Sequence, residues 1–129
     1  METMTNLPAD LRVLLLEDHA LIALDVETML LALGAASVTT FTTVEDALSK
    51  IDVTPFDVGL IDVQVGTATS MPLAVELKRR GVPFAFATGY ADFHMIAEEL
   101  RDVPMITKPY KEDDLRKTVQ ALLSRRQQP

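Results

Sequence analysis

Five positions far apart in the chain carry the side-chain types that phosphate chemistry needs. Glu17 and Asp18 close the apolar run VLLLE (13–17), and Asp62 closes DVGLI (57–61). Thr88 follows PFAFA (83–87), and Lys108 follows VPMIT (103–107). Three carboxylates brought together repel one another unless something positive lies between them. A hard divalent cation does this well, and Mg²⁺ accepts a few carboxylates together with water and phosphate oxygens. A trianionic phosphoryl group would then meet a metal, an ammonium and a hydroxyl, with the Asp62 carboxylate as nucleophile. Catalysis of that kind rests on position and charge at an in-line phosphoryl transfer. Taken singly, each residue has a bland role: Glu17-Asp18 as a solvated strand end, Thr88 as a turn residue, Lys108 as a surface lysine. Only a shared location makes them a site.

The elements that must create that location alternate along the chain. VLLLE is a short continuous apolar run, as expected of a strand covered on both faces. LIALDVETMLLAL (21–33) has apolar residues at helical spacing, and Gly34 follows as a stop signal. ASVTTF (36–41) is strand-like, and Thr42-x-x-Glu45 reads as a capping box opening a helix through Ile51. DVGLI is the third strand. A loop over 62–69 holds Gly66, and Ser70 is placed to cap a helix through Arg80, closed by Gly81. PFAFA is the fourth strand. TGYAD is a loop, a short helix is expected over 93–100, and VPMIT is the fifth strand. The last helix is expected over 111–126, with Leu115, Val119, Leu122 and Leu123 on one stripe. Its first turn holds Glu112, Asp113 and Asp114 and its end Arg125 and Arg126, which suits the helix dipole. The pattern is (βα)₅. Strands separated by helices run parallel, and right-handed crossovers put helices on both faces, giving an α/β doubly wound five-stranded parallel sheet. Ligands of such sheets bind beyond the carboxyl ends of the strands, where all five residues lie. The second strand ends at Phe41 and contributes nothing, as an outer strand would.

Composition bounds the function. With 129 residues, 48% hydrophobic and 24% charged, the chain is one globular domain. There is no cysteine, which excludes disulfides and thiolate metal sites and points to a reducing, cytoplasmic setting. METMTNLPAD has no signal-peptide pattern, and the apolar run MLLALGAA (29–36) is too short to span a bilayer, so no membrane role is expected. The net charge of −7 repels phosphate backbones and anionic lipid, which argues against nucleic acid as a partner. Residues 1–10 read as a loose leader and 125–129 as a frayed tail around a domain over 11–124.

In order and spacing, the acid pair, the acceptor Asp, the Thr and the Lys-Pro resemble the receiver domain of two-component response regulators. The resemblance covers roughly 11–124 and implies a CheY-like fold with strand order 2-1-3-4-5. PFAFATGYA (83–91), with DVQVG (62–66), further resembles the FAT GUY subgroup of receivers. That subgroup is rich in single-domain proteins whose kinases are often of the HWE or HisKA2 type.

The resemblance implies that Asp62 accepts a phosphoryl group from a kinase phosphohistidine. It implies that Glu17, Asp18, Asp62 and the backbone carbonyl of Gln64 hold Mg²⁺ or Mn²⁺, Glu17 standing where the family often has Asp. Thr88 and Lys108 would contact the phosphoryl oxygens, with Thr88 moving inward as a switch, and the Lys108-Pro109 bond would be cis. Two departures stand out. Met105 occupies the strand-five position that is usually aromatic, which makes Tyr90 the candidate to replace the missing switch residue. Gly66 stands where many receivers have proline, and a looser loop is expected there. His19 is read as a solvated first-turn residue, His94 as exposed, and Tyr110 as packing the start of the last helix.

The sequence thus reads as a stand-alone phosphoacceptor rather than an enzyme, with no DNA-binding effector after its last helix. Output would pass through protein–protein contacts or phosphate shuttling, on the surface of helix four, strand five and helix five. A Mg²⁺-dependent phosphohydrolase of the haloacid dehalogenase type is the enzymatic alternative. Its nucleophile lies on the first strand of its motif order with a second Asp two residues on, whereas here the acid pair precedes the nucleophile and position 64 is Gln. A receiver-like binding module that is never phosphorylated is the third class.

Overall fold

The computed structural model describes residues 7–89 and 92–126. Its main sheet has five parallel strands: β1 (Arg12–Leu16), β2 (Ser37–Phe41), β3 (Val58–Asp62), β6 (Phe84–Thr88) and β7 (Met105–Thr107). They lie in the order β2-β1-β3-β6-β7, so the chain winds outward in both directions from β1 and β3. This is the doubly wound α/β architecture that the strand–helix alternation requires. β4 (Gln64–Val65) and β5 (Ala68–Thr69) form a separate antiparallel hairpin just after β3.

Strand alternation divides the core. Val13, Leu15, Val58, Leu60, Ala85 and Ala87 face one side, where α1 (Ala20–Ala32) and α4 (Glu112–Arg126) cover them with Ala23, Val26, Leu30, Leu115, Val119 and Leu122. Leu14, Leu16, Ile61, Phe84 and Phe86 face the other side, under α2 (Val44–Lys50) and α3 (Met71–Arg79). Strands covered on both faces need near-continuous apolar runs, which is why RVLLL and VGLID read as they do. Gly59 has a packing reason: a Cβ there would lie 3.3 Å from the Phe84 Cβ and 3.4 Å from the Leu77 Cδ1. Phe84 and Phe86 meet edge to face, with centroids 5.5 Å apart.

Several local expectations are corrected. The cap of α2 is Thr43, one residue later than the Thr42 box: its hydroxyl accepts from the Asp46 amide at 3.1 Å. Ser70 precedes α3 but does not cap it, because its hydroxyl donates to the Val63 carbonyl at 3.0 Å. The loop after Asp62 is the β4–β5 hairpin rather than a loose segment. Gly66 has φ +59 at the first of the two loop residues and Thr67 a negative φ, the pattern of a II′ turn. The leader is packed from residue 7: Leu7 is buried and its amide donates to the Leu33 carbonyl at 2.7 Å.

The largest difference falls on 93–100, where one helix was expected. Two 3₁₀ turns, Phe93–Met95 and Glu98–Leu100, stand there instead, separated by extended backbone at Ile96. Both Ile96 and Leu100 are buried, and the break at Ile96 lets two short turns deliver both anchors to the core. Helix four of the expected partner surface is therefore replaced by two 3₁₀ turns.

At the amino ends of the strands, the Asp57 carboxylate accepts from the Arg12 amide at 2.8 Å. It also takes both arms of the Arg12 guanidinium, Nε and Nη2, at 3.2 Å. This bidentate pair fixes the start of β1 against the chain entering β3, at the pole opposite the acidic residues.

Candidate functional site

The strand order reverses between β1 and β3, and there Glu17 and Asp62 emerge. Leu16 pairs with Ile61, so Glu17 and Asp62 stand at the same level on neighbouring strands. The Glu17 amide continues the ladder to the Phe41 carbonyl at 3.0 Å. Leu16 and Ile61 fill the α2–α3 side, so alternation sends both acids toward the α1–α4 side. Both are almost fully buried, at 1% and 2% exposure.

Lys108 reaches this pair from the other arm of the sheet. β6 lies beside β3 with Ala87 in register with Asp62, and Thr88 pairs with Thr107. The Thr88 carbonyl accepts from the Lys108 amide at 3.0 Å, and the Lys108-Pro109 peptide is cis. The Lys108 ammonium then lies 3.0 Å from Asp62 Oδ1 and 3.4 Å from Glu17 Oε1. These are ion pairs, and among the described residues neither oxygen accepts a hydrogen bond from a further donor. Asp18 is exposed but adjacent: one carboxylate oxygen from each of Glu17, Asp18 and Asp62 lies within 4.8 Å of the others.

Three neighbouring carboxylates, two of them paired with one ammonium, leave the pocket with an excess of two negative charges when all are ionised. The cost falls on Asp62, whose pKa is pushed up to about 7, first by burial and next by the Glu17 carboxylate, against the opposing pull of Lys108. Burial works against the charge on Lys108, but Asp62 and Glu17 outweigh it and hold its pKa above the ordinary lysine value. A divalent cation matches the excess charge, and the buried Glu17 and Asp62 oxygens, held by the Lys108 ammonium alone among the described residues, have lone pairs left to ligate it. The residues present therefore fit a hard cation bound by oxygen ligands.

Of the residues expected from sequence, Glu17, Asp18, Asp62 and Lys108 converge. Thr88 stands at the same sheet edge, half-buried, one residue beyond the register partner of Asp62. Gln64 opens β4 with its side chain donating to the Gly66 carbonyl at 3.2 Å. Tyr90 lies outside the described residues. Met105 begins β7 and packs against the α2–α3 core. His19 precedes α1 without a side-chain cap, and His94 is exposed, as expected of both.

Four groups were not legible beforehand. The His19 amide donates to Glu17 Oε2 at 3.0 Å, and the Gly66 amide to Asp18 Oδ2 at 2.8 Å. The Asp92 carboxylate accepts from the Gly89 amide at 2.9 Å, bracing the backbone just past Thr88. The Tyr110 ring packs on the α1–α4 core, and its buried hydroxyl has no hydrogen-bond partner among the described residues. Burial and the nearby Asp62 and Glu17 carboxylates hold that phenol well above its ordinary pKa. Amide donors carry no side-chain signal, and the Tyr110 hydroxyl is hidden by a ring that reads as core filler.

Comparisons with known proteins converge on one group. A family model described as "Response regulator receiver domain" matches residues 13–120. The solution structure of SdrG from Sphingomonas melonis Fr1 is 36% identical, with a TM-score of 0.79, covering 91% of this chain and 99% of that one. A BeF3-activated conformation of SdrG from Pseudomonas melonis Fr1 is 34% identical, with a TM-score of 0.73, covering 95% and 99%. A CheY-like receiver domain from Methylobacillus flagellatus, 18% identical over 88% of this chain and 98% of its own, shares the fold at a TM-score of 0.76. A comparison with curated proteins found no match. Among the described residues, no helix is long and apolar enough to cross a membrane.

Proposed function

The chain belongs to the response regulator receiver family, and on that premise we propose that Asp62 is its phosphoacceptor. Receivers of this family are phosphoacceptor signalling domains that bind Mg²⁺ at an acidic pocket and exchange contacts with histidine kinases and downstream proteins. The observation that carries the assignment is the meeting of Asp62 with Lys108 at 3.0 Å beside two further carboxylates.

An oxygen of the Asp62 carboxylate attacks the phosphorus of a kinase phosphohistidine in line. The P–N bond breaks, its electron pair returns to the imidazole, and an acyl phosphate forms. Burial of Asp62 limits the approach of water to the acceptor. The Lys108 ammonium, already at the acceptor, is placed to follow negative charge onto a phosphoryl oxygen, and the Thr88 hydroxyl serves a second one. Glu17, Asp18 and Asp62, with the Gln64 carbonyl, would hold Mg²⁺ or Mn²⁺. Such a cation supplies charge neutralisation between acceptor and phosphoryl group. Thr88 and Tyr90 are the proposed switch residues.

The finer reading is a stand-alone receiver of the FAT GUY subgroup, with its domain over 11–124, acting in the cytoplasm with a HWE or HisKA2 type kinase. PFAFATGYA and the 99% coverage of the SdrG chain support it. Output is proposed on the surface made by the turns at 93–100, β7 and α4, where Phe93 and Met95 are exposed. Incubation with acetyl phosphate and Mg²⁺ is expected to add one labile phosphoryl group, seen by intact mass, and Asp62→Asn to abolish it. Uptake persisting in that variant overturns the assignment.

A further inference from the structure

We propose that the backbone amide of Gly66 is a positioning group for the cation site, and that through Asp18 it ties the β4–β5 hairpin to the occupancy of that site. The inference rests on the reading that Glu17, Asp18 and Asp62 hold a divalent cation.

The three acids are not held alike. Glu17 and Asp62 are buried and face Lys108, whereas Asp18 is exposed and has no ammonium on it among the described residues. An exposed aspartate has free choice of rotamer, and a ligand must give that freedom up on binding. The Gly66 amide removes it beforehand, donating to Asp18 Oδ2 at 2.8 Å across 48 positions of sequence. A carboxylate has lone pairs enough to accept this bond and still ligate. Hydrogen bonds to ligating carboxylates orient them, and their loss weakens metal affinity about 10–100-fold.

Gly66 is itself held from two sides. Its carbonyl accepts from the Gln64 side chain at 3.2 Å, and its amide is spent on Asp18. The hairpin is closed at its base by Val63, whose carbonyl takes both the Ser70 amide at 2.9 Å and the Ser70 hydroxyl at 3.0 Å. Its turn meets β1's acidic end through Asp18. Glycine supplies both things this contact needs: an N–H donor and φ +59 without a Cβ. Proline would supply neither. Because coupling between two equilibria is reciprocal, a hairpin that orders Asp18 for the cation is itself ordered by the cation. The exposed tip at 66–68 then carries the state of the pocket to the surface.

The test replaces Gly66 by glycolic acid in cell-free translation of the full chain. The ester keeps the backbone shape, deletes the donor and weakens the Val65 carbonyl as an acceptor. Mg²⁺ dissociation constants are read by amide shifts and calorimetry on this chain, on the wild type and on Gly66→Ala. Gly66→Ala keeps the donor, and its Cβ meets nothing within 4 Å, but it strains the backbone. The ester is expected to weaken Mg²⁺ about tenfold and Gly66→Ala by less. In the wild type, saturating Mg²⁺ is expected to slow amide exchange over 64–69 severalfold, and in Asp18→Ala it is not. An ester chain with a native amide spectrum and a dissociation constant within twofold of wild type overturns this inference alone. Absence of Mg²⁺ binding by the wild type removes the cation reading beneath it as well.

Discussion

Asp62→Asn is expected to stabilise the metal-free protein by an amount that depends on pH. The Asp62 carboxyl is buried beside Glu17, and its pKa stands at about 7 in the folded chain against 3.8 for a free side chain. The folded state thus holds the proton more tightly than the unfolded chain does. Stability from this source is complete below pH ~4 and is lost as pH rises through about 7. At ~1.4 kcal/mol per pKa unit, the ionised carboxylate costs the folded, metal-free chain about 4 kcal/mol. Asparagine stands in for the protonated acid and keeps its shape, so at pH 8 in chelator the variant should exceed wild type by about 2–4 kcal/mol. For a chain of this size that raises Tm by roughly 8–16 °C. At pH 4 the two should agree within about 0.5 kcal/mol. Lys108 stays protonated throughout this window, and its attraction to Asp62 fades on acidification as Asp62 takes up its proton. Urea unfolding at pH 4, 6 and 8 measures the effect. A variant no more stable than wild type at pH 8, or a difference that does not shrink on acidification, would refute the electrostatic reasoning.

Saturating Mg²⁺ should narrow or invert that order, adding about 2.7 kcal/mol to wild type at a hundredfold excess over Kd and much less to Asp62→Asn; thermal melts with and without the ion show it. Lys108→Ala leaves Glu17 and Asp62 facing each other with their ammonium gone. Its metal-free stability at pH 8 should fall by about 2–4 kcal/mol and recover at pH 5, where Asp62 is protonated. Asp57→Asn breaks the bidentate pair with Arg12 at the far pole. It should lower stability by about 2 kcal/mol while Mg²⁺ affinity stays within twofold, which calorimetry separates. Leu100→Ala should destabilise by about 2–4 kcal/mol by chemical unfolding, although 93–100 forms no α-helix, because Leu100 is buried in the α2–α3 core.

The sheet was legible because strands buried on both faces have no choice of composition. In the run VLLL (13–16), Val13 and Leu15 serve one core while Leu14 and Leu16 serve the other, so no position is left for a polar residue. α1 was legible from its apolar spacing, its stop marked by Gly34 at φ 113. The segment at 93–100 was not. Ile96 and Leu100 are spaced as one face of a helix would space them, and the same spacing is met by two 3₁₀ turns joined at an extended Ile96. Apolar spacing states which residues go inward; it does not state which backbone carries them there. The shift of the α2 cap from Thr42 to Thr43 is a smaller case, two adjacent threonines offering the same chemistry.

The site divides along a similar line. Glu17, Asp18, Asp62 and Lys108 could be assembled from the text because each is a charged side chain at the end of an apolar run, and a parallel sheet delivers all such ends to one edge. What orients them is written in atoms that every residue shares. The amides of His19 and Gly66 hold Glu17 and Asp18, and Thr88 sets Lys108 through its carbonyl rather than its hydroxyl. The chemical identity of the pocket is therefore carried by residue type, whereas its coupling to the rest of the molecule is carried by backbone placement. Gly66 is where the two meet, since a residue that donates an N–H at a positive φ joins the Asp18 carboxylate to the tip of the hairpin. A substitution there changes no charge and removes no side chain, yet it is expected to reach the cation.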